Sequence, residues 1–229
     1  MTANPAAALR APRARRSLPK ALSVEQAQQL LDHPFLPADN TPAGRRDQAM
    51  FEILYSSGLR LAELVSLDHR FEQGEGYRSR SWLLPDEAEV LVEGKGGKTR
   101  RVPLGRKALQ AVQAWLQVRH ELCSGTTATD PDARAALFLG ARGKRIAPRV
   151  VQARLNRLAV AAGLPVNVHP HSLRHSFASH MLQSAQDLRA VQELLGHANI
   201  STTQIYTRLD FQHLAKVYDT AHPRAQRRK

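Results

Sequence analysis

HPHSLRH at residues 169–175 is followed by LLGHAN at 194–199 and QIY at 204–206, and these three fragments decide how the chain is read. His171 and Arg174 stand three residues apart at an expected helix start, so both can lie on one face. The apolar run Leu188, Val191, Leu194 and Leu195 has helical spacing and stops at Gly196, a residue suited to a left-handed C-cap. That places His197 at a tight turn, and Tyr206 follows nine residues later in a helical segment opened by Ser201 and Thr202.

Two imidazoles, a guanidinium and a phenol are what an attack on a phosphodiester without a metal would require. Arginine grips phosphate oxygens with a planar fork and keeps its charge. Histidine donates hydrogen bonds or carries protons near neutral pH. A phenol can act as a nucleophile and hold a phosphoryl group covalently. The plainer readings stand beside this one. A tyrosine on an amphipathic helix is by default a core residue with its hydroxyl satisfied. The histidines 169, 171, 175 and 180 could instead suggest zinc, with His171 and His175 one helical turn apart. Against zinc stand a single cysteine in the whole chain, no HExxH pattern, and the cation Arg174 among the ligands.

The 229 residues suffice for one sizeable domain with its own core. Lys and Arg total 33 against 20 Asp and Glu, so a net charge of +13 points to a polyanion such as nucleic acid. A merely solubilised basic surface is the bland alternative. With Cys123 alone, no disulfide can form within the chain, and a reducing cytoplasm is expected. No apolar run approaches the roughly 18 residues of a membrane helix.

Residues 1–20 mix Arg10, Arg13, Arg15, Arg16 and Lys20 with prolines, which suits a basic arm or linker better than a transit peptide. SVEQ at 23–26 is a capping box opening a helix to about Asp32, and a Pro-, Asp- and Gly-containing loop follows through Gly44. A helix from about Arg45 to Ser57 buries Met50, Ile53 and Leu54 and ends at Gly58. The fragment SGLRLAEL at 57–64 then puts Arg60 at a new helix start, where backbone amides favour an anion, with Glu63 one turn on. Three short strands are expected at 80–84, 89–93 and 99–103, the last two joined by the glycine turn GKGGK at 94–98. A helix at about 106–122, a polar loop at 124–131, a buried segment at 137–139, a helix at 148–162 and a last helix at about 210–220 complete the order. The tail from His222 to Lys229 reads as basic and mobile.

Arg60 in GLRLAEL, the hairpin lysine Lys95, His171 and Arg174, His197 after LLG, and Tyr206 form one ordered set. The set resembles the catalytic domain of the tyrosine recombinase (phage integrase) family from about residue 18 to the end. Segments 167–183, 188–208 and 209–224 carry a closer likeness to the members that resolve chromosome dimers. The resemblance implies an α+β fold, a mostly α-helical catalytic domain with a small antiparallel three-stranded sheet. It divides the chain into an arm at 1–20, a catalytic domain at 21–220 and a tail at 221–229.

By the same resemblance, Tyr206 attacks a scissile DNA phosphate to give a 3′-phosphotyrosyl enzyme. Arg60 and Arg174 clamp the non-bridging oxygens, His197 adds a hydrogen bond, Lys95 protonates the leaving 5′-oxygen, and His171 assists loss of the tyrosine proton. Glu63 orients Arg60 or His171, and Lys98, Arg100 and Arg101 are candidates for DNA phosphate contacts. His175 and His180 are read as structural. No cofactor or metal is expected. The implied partners are double-stranded DNA with a dif-like pseudo-palindromic site, a XerD-like recombinase in a heterotetramer, and the DNA translocase FtsK. Family recombinases also carry an N-terminal core-binding domain, and only residues 1 to about 20 stand where its end belongs. This chain is therefore expected to bind and recombine poorly alone; a type IB topoisomerase or a DNA-binding module without independent recombination are the alternatives. The region 71–87 is longer than the family pattern leads one to expect.

Overall fold

The computed structural model describes residues 21–34, 41–74, 76–94, 97–164, 168–184, 188–196 and 216–225. The arm at 1–20 lies outside these residues, as does the expected start of the last helix near Asp210.

The fold is assembled around α2 (Pro42–Ser57), the longest helix among the described residues. It begins earlier than its apolar pattern suggests. Pro42 sits in the first turn, where a missing N–H costs nothing, and the Thr41 side chain caps Gly44 N at 3.1 Å. Met50, Phe51, Ile53, Leu54 and Tyr55 are fully buried, and so are the polar Asp47, Glu52, Ser56 and Ser57. A helix buried on every side is a core helix, and each of its polar groups needs a partner. At its end Gly58 adopts φ +58°, and a Cβ there would meet the Phe177 ring at 2.3 Å. Only glycine fits that corner.

Around α2 pack α1 (Val24–Leu31), α4 (Arg106–Val118), α7 (Pro148–Ala161) and α8 (Pro170–Ser184). The capping box of α1 is complete, with Ser23 and Gln26 exchanging backbone–side-chain bonds at 3.0 and 3.2 Å. Short α3 (Leu61–Val65) follows Gly58, and α9 (Leu188–Leu195) ends at Gly196 with φ +65°. The α9 residues Ala190, Val191, Leu194 and Leu195 pack with Phe177 and Met181 of α8 and with Tyr218 and Ala221 of a helical segment at 216–221.

Three antiparallel strands stand where they were expected, as β4 (Ser81–Leu84), β5 (Glu89–Glu93) and β6 (Thr99–Pro103). A two-residue β1 (Leu67–Asp68) adds itself parallel to β4, making the sheet order β1-β4-β5-β6. The long region holds a small hairpin, β2 (Gln73–Gly74) with β3 (Tyr77–Arg78). It is pinned by Asp68, which accepts from the Tyr77 hydroxyl and from Arg145 at 2.6 Å. In register, Leu83 faces Val90, Val90 faces Val102, and Val92 faces Arg100. Leu83, Val90, Val92 and Val102 are buried, so Arg100 lies on the core face of the sheet and Arg101 on the other.

Two expectations need correction. The stretch 124–131 is not a plain polar loop, because α5 (Gly125–Thr129) and α6 (Pro131–Ala135) form there. Asp130 caps α6 through Asp132 N, and Pro131 occupies its first turn. The C-terminal stretch is not a mobile tail at 222–225. His222 is fully buried and Arg224 is 6% exposed. Arg224 ion-pairs with Glu52 of α2 and reaches Asp32 at 3.1 Å, answering the carboxylate that α2 carries into the core.

Candidate active site

Arg60 is the N-cap residue of α3, in extended backbone with φ −70° and ψ 151°. Its amide donates to Glu63 Oε2 at 2.8 Å and its Nη1 to Glu63 Oε1 at 2.9 Å. The amide expected to face an anion is thus taken by the protein's own carboxylate. Arg100 approaches the same carboxylate from β6, Nη1 to Oε1 at 3.0 Å and Nη2 to Oε2 at 2.9 Å. Burial alone would raise the Glu63 pKa. The hydrogen bonds and charge of Arg100, joined by the Arg60 amide and guanidinium, outweigh it and hold the carboxyl below the ordinary range.

Arg174 comes from the first turns of α8 and is buried. Its guanidinium donates to Gly58 O and, at 2.6 Å, to Leu195 O. Burial first, then the neighbouring Arg60 and Arg100 charges, pull its pKa down to about 10, while Glu63 opposes them. It remains a cation at neutral pH. Three guanidiniums therefore crowd about one carboxylate, and the surplus is positive.

This surplus faces a cleft of about 550 Å³ lined by Leu59, Arg60, Leu61, Gln152, His169, His171, Arg174 and His175. Arg60, its side chain 48% exposed, forms one wall. His171 and His175 are exposed one helical turn apart along α8. His175, read from the sequence as structural, is exposed and lines the cleft. His180 is buried, with Nδ1 bonded to the Tyr55 hydroxyl at 2.9 Å, which removes it from any ligand set with its neighbours. Among the described residues, no three His, Cys, Asp or Glu side chains are grouped to hold a metal ion.

Arg60, His171 and Arg174, separated by up to 114 positions in the sequence, are thus brought to one cleft, with Glu63 bonded to Arg60 behind it. Lys95, His197 and Tyr206 lie outside the described residues. On either side of Lys95 in the sequence, Gly94 N donates to Lys98 O at 2.8 Å and Gly97 has φ +73°. Lys98 is exposed. Arg100 is not available to DNA in this arrangement, because Glu63 holds its fork and its side chain is only 11% exposed. The alternation Val90, Val92, Val102 already places Arg100 inward, and that was the signal to use. Arg101, on the opposite face, pairs with Glu89 at 3.2 Å.

The fold built around α2 is one that solved recombinase structures share. The chain belongs to the phage integrase family, which it matches over residues 20–213, and it is a tyrosine site-specific recombinase. It is 58% identical to tyrosine recombinase XerC 1 of Ralstonia nicotianae over 228 residues, covering all of this chain and 68% of that protein. It is 51% identical to tyrosine recombinase XerC of Salmonella typhi, covering all of this chain and 69% of that one. Among solved structures, XerA recombinase superposes with a TM-score of 0.62 at 27% identity, over 91% of this chain and 67% of the other. XerH site-specific recombinase bound to palindromic difH substrate gives 0.60 at 26%, over 89% and 53%.

Proposed function

We propose that this chain cuts and rejoins double-stranded DNA at a specific site through a 3′-phosphotyrosyl intermediate, in the resolution of chromosome dimers. The observation that carries the reading is the surplus of positive charge in the cleft, with the half-exposed Arg60 beside the buried Arg174. Two fixed forks can bind two non-bridging oxygens of one phosphodiester. Their charge is worth most where negative charge builds in the transition state.

The Tyr206 oxygen attacks phosphorus, the bond to the 5′-oxygen breaks, and the phosphodiester is conserved as a tyrosyl ester. His171 takes part in removing the phenolic proton, Lys95 supplies a proton to the leaving 5′-oxygen, and His197 donates to a non-bridging oxygen. Glu63 keeps the Arg60 fork oriented. A 5′-hydroxyl from a second duplex reverses the chemistry, so no ATP is needed. Lys98 and Arg101 are proposed as phosphate contacts outside the cleft. The XerH structure with palindromic difH substrate supports DNA as the partner. A dif-like pseudo-palindromic site, a XerD-like recombinase in a heterotetramer and the translocase FtsK are proposed as its partners, and the cytoplasm as its place of work. No described helix is long and apolar enough to cross a membrane.

The test is incubation with a nicked suicide duplex, whose short cleaved strand diffuses away and traps the covalent adduct. Wild type should accumulate a DNA-linked protein in the presence of EDTA, and Tyr206→Phe none, at unchanged DNA affinity. An adduct with the Phe variant would assign the nucleophile elsewhere.

A further inference from the structure

Three guanidiniums grip the C-terminus of α9. Arg100 Nε donates to Leu194 O at 3.4 Å, Arg174 to Leu195 O at 2.6 Å, and Arg60 Nη2 to Gly196 O at 3.5 Å. These are consecutive carbonyls at the negative end of a helix, where intrahelical donors run out. Arg60 and Arg174 also line the cleft; Arg100 does not. Its Nη1 and Nη2 are spent on Glu63, and its guanidinium packs against Gly196, where a Cβ would come within 3.0–3.1 Å of it.

The Glu63 carboxylate shows what that arrangement does. Oε1 accepts from Arg60 Nη1 and Arg100 Nη1, and Oε2 accepts from Arg60 N and Arg100 Nη2. All four acceptor sites are filled, so the carboxylate has one orientation. Without Arg100, two of those bonds vanish and only the half-exposed Arg60 remains to hold its own support. The same loss frees Leu194 O at the turn from which the chain leaves for His197.

We infer that Arg100 is a positioning residue for the recombination chemistry, locking β6, α3 and the end of α9 into one geometry through Glu63 and Leu194. The inference rests on the recombinase reading. Arg100 never touches the phosphate; it fixes the angle at which Arg60 meets it. One guanidinium thus ties three elements, β6, α3 and α9, together.

Arg100→Lys and Arg100→Ala are compared with wild type, Arg60→Ala and the Arg60→Ala/Arg100→Ala double variant. Single-turnover adduct formation on the suicide duplex, DNA affinity across a salt series and thermal unfolding are measured. Both Arg100 variants should form adduct roughly 10- to 100-fold more slowly, the order of a displaced catalytic group. Affinity and salt slope should match wild type, and the double variant should be no slower than Arg60→Ala within about threefold, since coupled residues are non-additive. Lysine keeps the charge but not the fork, so it carries the test if the alanine variant does not fold. A salt slope reduced by about 0.9 would make Arg100 a phosphate contact and overturn the inference. Wild-type rates in a folded Arg100 variant, or additive losses in the double variant, would reduce it to a stabilising ion pair. Absence of adduct with wild type would overturn the recombinase reading itself, and the inference with it.

Discussion

Two arginine clusters in this molecule use the same chemistry and differ in charge balance. At the C-terminal segment, one guanidinium, Arg224, is shared by two carboxylates, Glu52 and Asp32. Around it the Tyr218 hydroxyl meets Ser56, His222 Nε2 meets Tyr55 O at 3.2 Å, and the Tyr218 and His222 rings stack at 5.0 Å. At the cleft, three guanidiniums share Glu63 and the carbonyls of α9. The first cluster is complete in itself, with Glu52 and Arg224 buried and Asp32 at its half-exposed edge. The second has a positive surplus beside an opening, so it is complete only with an anion present. Charge balance, rather than burial, separates the anchor from the site.

The largest effect should come from breaking the balanced cluster. Arg224→Ala leaves Glu52, 1% exposed, without its counter-ion. Removing one partner of a buried pair costs about 3–5 kcal/mol. Denaturant unfolding should show that loss. A loss under about 1 kcal/mol would mean that the segment is not an anchor.

Breaking the unbalanced cluster should instead cost rate. Arg174→Lys keeps a cation but cannot bond Gly58 O and Leu195 O while presenting a fork to phosphate. Adduct formation should fall about 100-fold or more, the scale of one lost transition-state donor. Its unfolding free energy should move less than that of Arg224→Ala, and the reverse order would sink the distinction.

The two regions also differed in how openly the sequence declared them. Arg60 and Glu63 were legible from their capping box at a helix start, and Arg174 from its fixed offset near the start of α8. For Arg100, basic composition near a glycine turn suggests a DNA contact, whereas its fork is bonded to Glu63. The strand alternation that turns it inward is local, but its partner Glu63 lies 37 positions away. Arg224 was misjudged for a similar reason, in a tail that looks solvated. The available clue was Glu52, a carboxylate set among Met50, Phe51, Ile53 and Leu54 on a helix too apolar to leave it unpaired. Sequence pattern gives faces and ends; it does not give the distant partner.

The anchor should also respond to pH in a window where the Glu63 carboxylate does not. Burial, foremost, depresses the His222 pKa from 6.5 to about 3. Below pH 6.5 the unfolded chain binds a proton that the folded chain refuses, so stability falls as pH falls through that window. At about 1.4 kcal/mol per unit, the loss by pH 5 is on the order of 2 kcal/mol. Glu63 has the opposite kind of dependence. Its lowered pKa gives stability that persists above the unfolded value of 4.5 and disappears only below it. His222→Gln should therefore flatten the stability profile between pH 6.5 and 5, and Glu63→Gln should not. An unchanged slope in His222→Gln would show that the ring does not remain neutral in the folded chain.

The smallest effect is the most direct test of an unfilled charge. An anion that binds the folded cleft and not the unfolded chain stabilises by mass action, about 1.4 kcal/mol at ten times its dissociation constant. Inorganic phosphate carries the same non-bridging oxygens as the proposed substrate. Millimolar phosphate, with ionic strength matched by chloride, should raise the melting temperature of wild type. Arg60→Ala should abolish the shift without unfolding the protein, because the Arg60 side chain is half exposed and holds little of the core. Arg224→Ala should keep the shift on its lower baseline, since its cluster is already balanced, Arg224 and Lys107 meeting Glu52 and Asp32. Equal shifts in all three proteins would place the phosphate on the general basic surface, and the cleft would then have no special claim on it. A shift lost only in Arg60→Ala would tie the surplus charge to the cleft, where the three arginines and one carboxylate leave room for one more anion.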